Sequence, residues 1–226
     1  MKPNRYSLRA LALLLGYPDA DLRGNLPQLM EALDAESAVP ASRRAELRML
    51  AAELARLNSF EVESRYVETF DRGRATSLHL FEHVHGDSRD RGPAMIDLVQ
   101  TYEKAGLMMD PSELPDHLCV VLEFASTQPP QVARDFLGEM AHILTAIFSA
   151  LQQRGSPYAA VLAAVLELAG HKVQAVHIEA DEAMDDTWAE PEAFDGCSTR
   201  GQAKPGEAQP IHFIRQKASA SQGASA

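Results

Sequence analysis

The sequence predicts an all-α protein, a single helical bundle domain followed by an acidic, partly disordered C-terminal tail. Three observations carry this reading. Apolar residues recur at helical spacing through most of the first 175 positions. No stretch shows the β-branched, period-two pattern of strands. From Val173 to Ser198 there is no Lys or Arg, while Glu179, Asp181, Glu182, Asp185, Asp186, Glu190, Glu192 and Asp195 crowd the same segment. The expected division is therefore a helical domain over 1–176 and an acidic, low-complexity segment over 177–226.

The elements follow in chain order. Leu8, Leu11, Leu14 and Leu15 set a first short helix that stops at Gly16-Tyr17-Pro18. Arg43 to Asn58 is a second, with Leu47, Leu50, Leu54 and Leu57 on one stripe and charged residues elsewhere. Gly92-Pro93 opens a helix through Met95, Ile96, Leu98, Val99 and Tyr102, and Leu114-Pro115 opens another through Leu118, Val121, Leu122 and Ala125. Each proline suits a first helical turn. Between these two helices Gly106 can take the left-handed conformation that ends a helix. Phe136, Met140, Leu144, Ile147 and Leu151 form one stripe on a helix starting after Pro129-Pro130. Ser156-Pro157 reads as an N-cap and first helical residue, leading into Val161, Leu162, Val165 and Leu168. In the tail, Ala203 to Gln209 and Ser219 to Ala226 have a disordered composition, with an apolar patch, Pro210 to Ile214, between them. Trp188 and Phe194 stand out among the carboxylates.

Composition excludes several function classes. With 226 residues, 46% hydrophobic and 23% charged, this is an ordinary globular chain. Its formal net charge of −11 argues against nucleic acid and anionic lipid as partners. The two cysteines, Cys119 and Cys197, form no CxxC, so neither a disulfide framework nor a thiolate metal cage is expected. The apolar run Ala10 to Gly16 is far shorter than the roughly 20 residues of a membrane span. Tyr17-Pro18-Asp19 interrupts that run without a small-x-small cleavage site after it, which argues against a signal peptide. A cytoplasmic protein without direct membrane insertion is the expectation.

Two constellations could carry chemistry. The stretch from Tyr66 to Gly92 packs Asp71, Arg72, Arg74, His79, Glu82, His83, His85, Asp87, Arg89, Asp90 and Arg91 around Phe70, Leu78, Leu80 and Phe81. One reading is a polar network that caps helix ends. A second is a first-row metal site of a metal-dependent hydrolase on His79, His83 and His85, since residues four apart share a helix face. It lacks an HExxH order. A third is a groove that holds a partner peptide, which arginine and histidine beside aromatics suit. In the other constellation, Asp116 is expected in a first helical turn, where it complements the helix dipole. Adjacent Asp116 and His117 do not face each other on a helix, and no GxSxG word supplies a nucleophile. Glycine-rich phosphate loops are absent from the sequence, and Cys119 reads as a small core residue.

The words FDRGRA (Phe70 to Ala75), FEHVHG (Phe81 to Gly86) and ELPDHL (Glu113 to Leu118), with Leu122-Glu123-Phe124, carry a resemblance to a known family. Over about Tyr66 to Phe124 the chain resembles the NarJ family, assembly chaperones of respiratory molybdenum nitrate reductase related to the TorD and DmsD redox-enzyme maturation proteins. Weaker similarity comes from LLGYPDA at Leu14 to Ala20 and from Trp188, Phe194 and Cys197.

The resemblance implies a cytosolic all-helical chaperone, not an enzyme, with no cofactor of its own. It would bind the N-terminal peptide of the nitrate reductase catalytic (alpha) subunit, prevent premature membrane docking and assist molybdenum cofactor insertion. Molybdenum cofactor biosynthesis proteins would be further partners. The implied peptide-binding residues are Phe70, Arg72, Arg74, Phe81, His83, His85, Glu113, Leu114, Pro115, Asp116 and His117. One departure is Cys119, where the family pattern has proline after DHL. Replacing Asp116 and His117 by alanine is expected to weaken client binding while leaving the melting temperature nearly unchanged.

Overall fold

The computed structural model describes residues 3–86 and 88–177. Among these, ten α-helices and one 3-10 turn account for the regular structure, with no strand beyond one isolated β-bridge, as the helical periodicity predicts. In chain order they are α1 (Arg5–Leu14), α2 (Ala20–Glu36), α3 (Ala41–Arg56), α4 (Ser59–Phe70), the 3-10 turn (Arg74–Thr76), α5 (Leu80–His85), α6 (Arg91–Lys104), α7 (Leu118–Thr127), α8 (Pro130–Glu139), α9 (Ala141–Gln153) and α10 (Ala159–Leu168). The acidic segment, Trp188, Phe194, Cys197 and the Pro210–Ile214 patch lie outside the described residues.

The core is built on α1 and α10. In α1 the predicted stripe holds, because Leu8, Leu11 and Leu14 are fully buried, as is Leu15 at the C-cap. This helix packs most extensively against α7, whose Leu118, Val121 and Leu122 are also fully buried. The α10 run Ala160 to Leu166 is apolar and buried on every side, the signature of a helix at the centre of a bundle.

Local chemistry fixes the ends. Asp19 caps α2 by accepting from the Leu22 N–H at 2.8 Å, and Asn58 caps α4 by accepting from the Glu61 N–H at 2.9 Å. Arg23 of α2 satisfies the C-terminal end of α3. Its Nε donates to the Leu54 carbonyl at 2.9 Å and its Nη2 to the Leu57 carbonyl at 2.5 Å. Those carbonyls lack helical partners. Arg23→Ala should therefore cost about 1.5 kcal/mol, measured by urea denaturation, whereas Arg23→Lys should recover only part of it.

Three boundaries differ from the sequence reading. The single stripe Phe136 to Leu151 is divided at Met140, whose backbone (φ −94°, ψ 3°) ends α8 and starts α9. Gly138 lies at the break, and a Cβ there would stand 3.5 Å from the His171 ring. Ser156 and Pro157 form a turn before α10, which starts two residues later than their capping pattern suggests. Pro93 does fall in the first turn of α6. Pro115 does not open α7, because residues 114–117 form a turn closed by the His117 N–H on the Leu114 carbonyl at 3.1 Å, and His117 then enters a bridge instead.

Candidate functional site

Leu78 and Leu80 alternate with His79, so both leucines enter the core and the histidine faces away from it. This short extended segment meets a second one at an antiparallel bridge between His79 and His117. The Leu80 N–H donates to the Asp116 carbonyl at 3.1 Å, and the Leu118 N–H donates to the Leu78 carbonyl at 2.8 Å. The Tyr102 hydroxyl of α6 holds the Pro115 carbonyl at 2.8 Å.

Asp116 is fully buried, two residues before α7, and it caps a different helix from the one expected. Its Oδ2 accepts from the Phe81 N–H at 3.0 Å, one of the donors at the start of α5 that lack helical partners. Its Oδ1 lies 3.6 Å from His79 Nδ1, and Arg91 Nη2 lies 3.9 Å from Oδ2 and 3.3 Å from Glu82 Oε1. Glu82 also accepts from the Ser77 hydroxyl at 2.6 Å. The expected dipole contact with α7 is thus replaced by a cap supplied across the chain, because the bridge fixes Asp116 over α5.

The charges follow from this packing. Burial works to raise the Asp116 pKa, but His79, the Phe81 N–H and Arg91 outweigh it and hold the carboxylate below its ordinary range. Contact with Asp116 raises the His79 imidazole against its burial. His117, its ring 4.9 Å from that of His79, is brought down to about 4 by burial and by the neighbouring His79 charge.

A metal centre is not what these histidines form. His79 lies outside α5 at its N-cap, His83 Nε2 contacts the Ser77 carbonyl at 2.9 Å, and the His85 ring stands edge-on to Phe81 at 5.7 Å. Among the described residues no three His, Cys, Asp or Glu side chains converge to hold an ion. The metal-dependent hydrolase reading is therefore corrected. The shared helix face it required does not exist, since His79 is extended (φ −84°, ψ 101°).

Beside this network runs an open groove of about 510 Å³. One wall is the outer face of α1 at Arg9 and Leu13, and the other is α7 at Val120 and Phe124. Met108, 94% exposed, and Met109 form its lip, where the chain leaves α6 through Gly106 at φ 82°. A smaller hollow of about 280 Å³ lies on the other side of the two methionines, against Val99 and Pro115. Glu113 and Asp110 line both, and Glu123 adds a third carboxylate against the single guanidinium of Arg9. Cys119 also lines the groove, with its thiol pushed up to about 12 by burial, so it stays a neutral apolar group.

The structure separates the eleven candidate residues. Glu113 lines both hollows, Pro115 the smaller one, and Leu114 is exposed beside them. Asp116 is interior, and His117 is half-buried against His79. Phe70 is buried in an aromatic stack, its ring 4.9 Å from those of Tyr66 and Tyr158. Arg72 and Arg74 are exposed after α4, while Phe81, His83 and His85 are half-buried around α5. Met108, Met109, Leu13 and Val120 were not anticipated. The available signal was a run of large apolar residues, Leu107-Met108-Met109, in a loop that turn chemistry does not require to be apolar.

A model of the family described as nitrate reductase delta subunit matches residues 20–164. The nitrate reductase molybdenum cofactor assembly chaperone NarJ of Escherichia coli (strain K12) is 41% identical over 194 residues, covering 84% of this chain and 81% of that protein. The probable nitrate reductase molybdenum cofactor assembly chaperone NarW of the same strain is 42% identical over 138 residues, 57% of this chain and 60% of that one. The crystal structure of a putative redox enzyme maturation protein from Archaeoglobus fulgidus has a similar fold, with a TM-score of 0.50 and 22% identity over 72% of this chain and 91% of that one. Family match and relatives agree with the words around Phe70, Phe81 and Glu113, and the chain belongs to the nitrate reductase delta subunit family.

Proposed function

We propose that this protein is an assembly chaperone, not an enzyme, that holds the N-terminal segment of the catalytic subunit of a respiratory molybdenum nitrate reductase while that subunit receives its cofactor. The observation that carries this reading is the open, apolar groove with Met108 and Met109 on its lip and carboxylates on its rim. Methionine adapts to varied apolar partners, and a groove between helices accepts the apolar stripe of an amphipathic segment. The acidic rim favours a segment with basic residues beside that stripe. The names of the relatives supply the client class.

Of the residues the sequence singled out, Glu113, Leu114 and Pro115 contact the client in this reading. Arg72, Arg74, Phe81, His83 and His85 extend the client-binding surface beyond the groove, and molybdenum cofactor biosynthesis proteins are further partners. Residues 1–176 act as the client-binding domain, and 177–226 as a separate acidic segment. The protein works in the cytoplasm, and none of its described helices is long and apolar enough to cross a membrane.

Binding buries apolar area at about 25 cal/mol per Å² and gives back roughly 2 to 5 kcal/mol for ordering the peptide. A dissociation constant of roughly micromolar to nanomolar suits a client that must be released. Isothermal titration with a synthetic peptide of the client's N-terminus should saturate, and the absence of heat from folded protein would refute the assignment. Replacing Met108 and Met109 together by Gln should weaken binding about tenfold or more, about 1.4 kcal/mol, with little change in melting temperature. Unaltered affinity would move the client elsewhere.

A further inference from the structure

The two methionines on the lip of the groove differ in what holds them. Met109 is half-buried and packs on the cluster of Leu98, Tyr102 and Phe124. Met108 is 94% exposed, projecting from the loop that leaves α6 through Gly106, and it lines both the groove and the smaller hollow. A side chain this exposed buries too little area to contribute to folding, and its sulfur is open to any small solute. Among the described methionines only Met49 of α3, 66% exposed, is comparably open, and it lines neither hollow. Met30, Met95 and Met140 are half-buried.

The surroundings of Met108 decide what oxidation would do there. Apart from the two methionines, the smaller hollow is lined by Val99, two prolines and three carboxylates, so it holds no side-chain donor. In the groove the Tyr102, Ser126 and Thr127 hydroxyls are already given to the carbonyls of Pro115, Glu123 and Phe124, at 2.8, 2.6 and 2.7 Å. That leaves Arg9, across the groove on α1, as the one charged donor among the lining residues. A sulfoxide oxygen is a strong acceptor, which water satisfies in the free protein. A client that covers Met108 strips that water and leaves the oxygen among other acceptors, whereas a thioether loses almost nothing on burial. The groove's own thiol does not compete for oxidant, because burial keeps Cys119 protonated.

We propose that Met108 is a modification site, at which a hydroperoxide transfers one oxygen atom to the thioether sulfur and the resulting sulfoxide lowers the groove's affinity for its client. This regulation rests on the function proposed for the groove. An S–O bond forms as the O–O bond breaks, and the proton of the transferred hydroxyl ends on the leaving oxygen, which departs as water when the oxidant is hydrogen peroxide. The thioether loses two electrons and the peroxide gains them. Methionine sulfoxide reductases return the sulfoxide to the thioether, so client binding pauses under oxidant and resumes on repair.

The test treats the full chain with hydrogen peroxide, locates sulfoxide by mass spectrometry of its peptides, and titrates the product with the synthetic peptide of the client's N-terminus. Met108 and Met49 should gain oxygen ahead of Met109, Met95, Met30 and Met140. Protein oxidised at those two sites should bind the peptide about tenfold more weakly, at an unchanged melting temperature. Met49→Leu should lose the same factor on treatment, whereas Met108→Leu, whatever its starting affinity, should change by less than about twofold. Methionine sulfoxide reductases A and B with dithiothreitol should restore the wild type, and dithiothreitol alone, which reverses thiol oxidation but not a sulfoxide, should not. Slow oxidation of Met108 beside a fast Met49, equal affinity before and after oxidation of Met108, or an equal loss in Met108→Leu would overturn the proposal and leave the client groove standing. Untreated protein that binds no peptide would overturn both.

Discussion

Asp116→Ala should lower the melting temperature by about 6 to 12 °C, equivalent to about 3 kcal/mol. The carboxylate is fully buried and serves three partners at once: the Phe81 N–H at 3.0 Å, His79 at 3.6 Å and Arg91 at 3.9 Å. Removing it leaves a helix N–H without an acceptor and two cationic groups beside an empty space, and the cost of such orphans exceeds the worth of the contacts themselves. Asp116→Asn separates the contributions. An amide oxygen can still accept from Phe81, but the charge that holds His79 and Arg91 is gone, so a loss of about 1 to 2 kcal/mol is expected. Thermal melting followed by circular dichroism reads both variants. A change under about 2 °C for Asp116→Ala would mean that the bridge between residues 79 and 117 stands without its carboxylate. The expectation that Asp116 could be removed at no thermal cost is thus reversed, because it assumed an exposed first-turn residue.

That reversal marks where sequence reasoning reached its limit. The stripes of α1, α3 and α10 were legible because each helix buries residues that its own periodicity reveals, such as Leu8, Leu11 and Leu14. α2 was not legible, although Leu22, Leu26, Leu29 and Leu33 follow a helical register, because Gly24 and Pro27 dilute the pattern and Pro27 sits inside the helix. In α4, Tyr66 opens the mixed polar and aromatic stretch and Phe70 is expected at the peptide site, yet both are core. Their partners, Leu15 for the Tyr66 hydroxyl and Tyr158 for both rings, come from distant positions. The same holds for the candidate site. The words around Phe81 and Glu113 lie at the buried network and at the groove beside it. Which atoms face inward depends on a bridge between residues 38 apart, and no local spacing encodes it. Met108 and Met109 were readable in principle, as apolar residues in a loop, but their role depends on the α1 and α7 faces that flank them.

Acid should expose the second large effect, at His117. In the folded protein its pKa is brought down to about 4, by burial first and by the charge of His79 second, while Asp116 pulls the other way. Its ordinary value is 6.5. Between those values the unfolded chain takes up a proton that the folded chain refuses, so the folded state loses stability as pH falls through this window. At about pH 5, still above the folded value, the effect is on the order of 2 kcal/mol. His79 works in the opposite direction. Its raised pKa contributes stability that is complete below 6.5 and is lost as pH rises through its folded value. The contribution of Asp116, with its lowered pKa, is complete above 3.8 and is lost only when pH falls through its folded value. His117→Phe keeps a ring against His79 and removes the titration. Urea denaturation at about pH 7.5 and about pH 5 should then show the variant gaining on the order of 2 kcal/mol on wild type between the two conditions. Parallel pH profiles would mean that His117 takes its proton as freely in the fold as outside it, and that its place against His79 imposes no electrostatic cost.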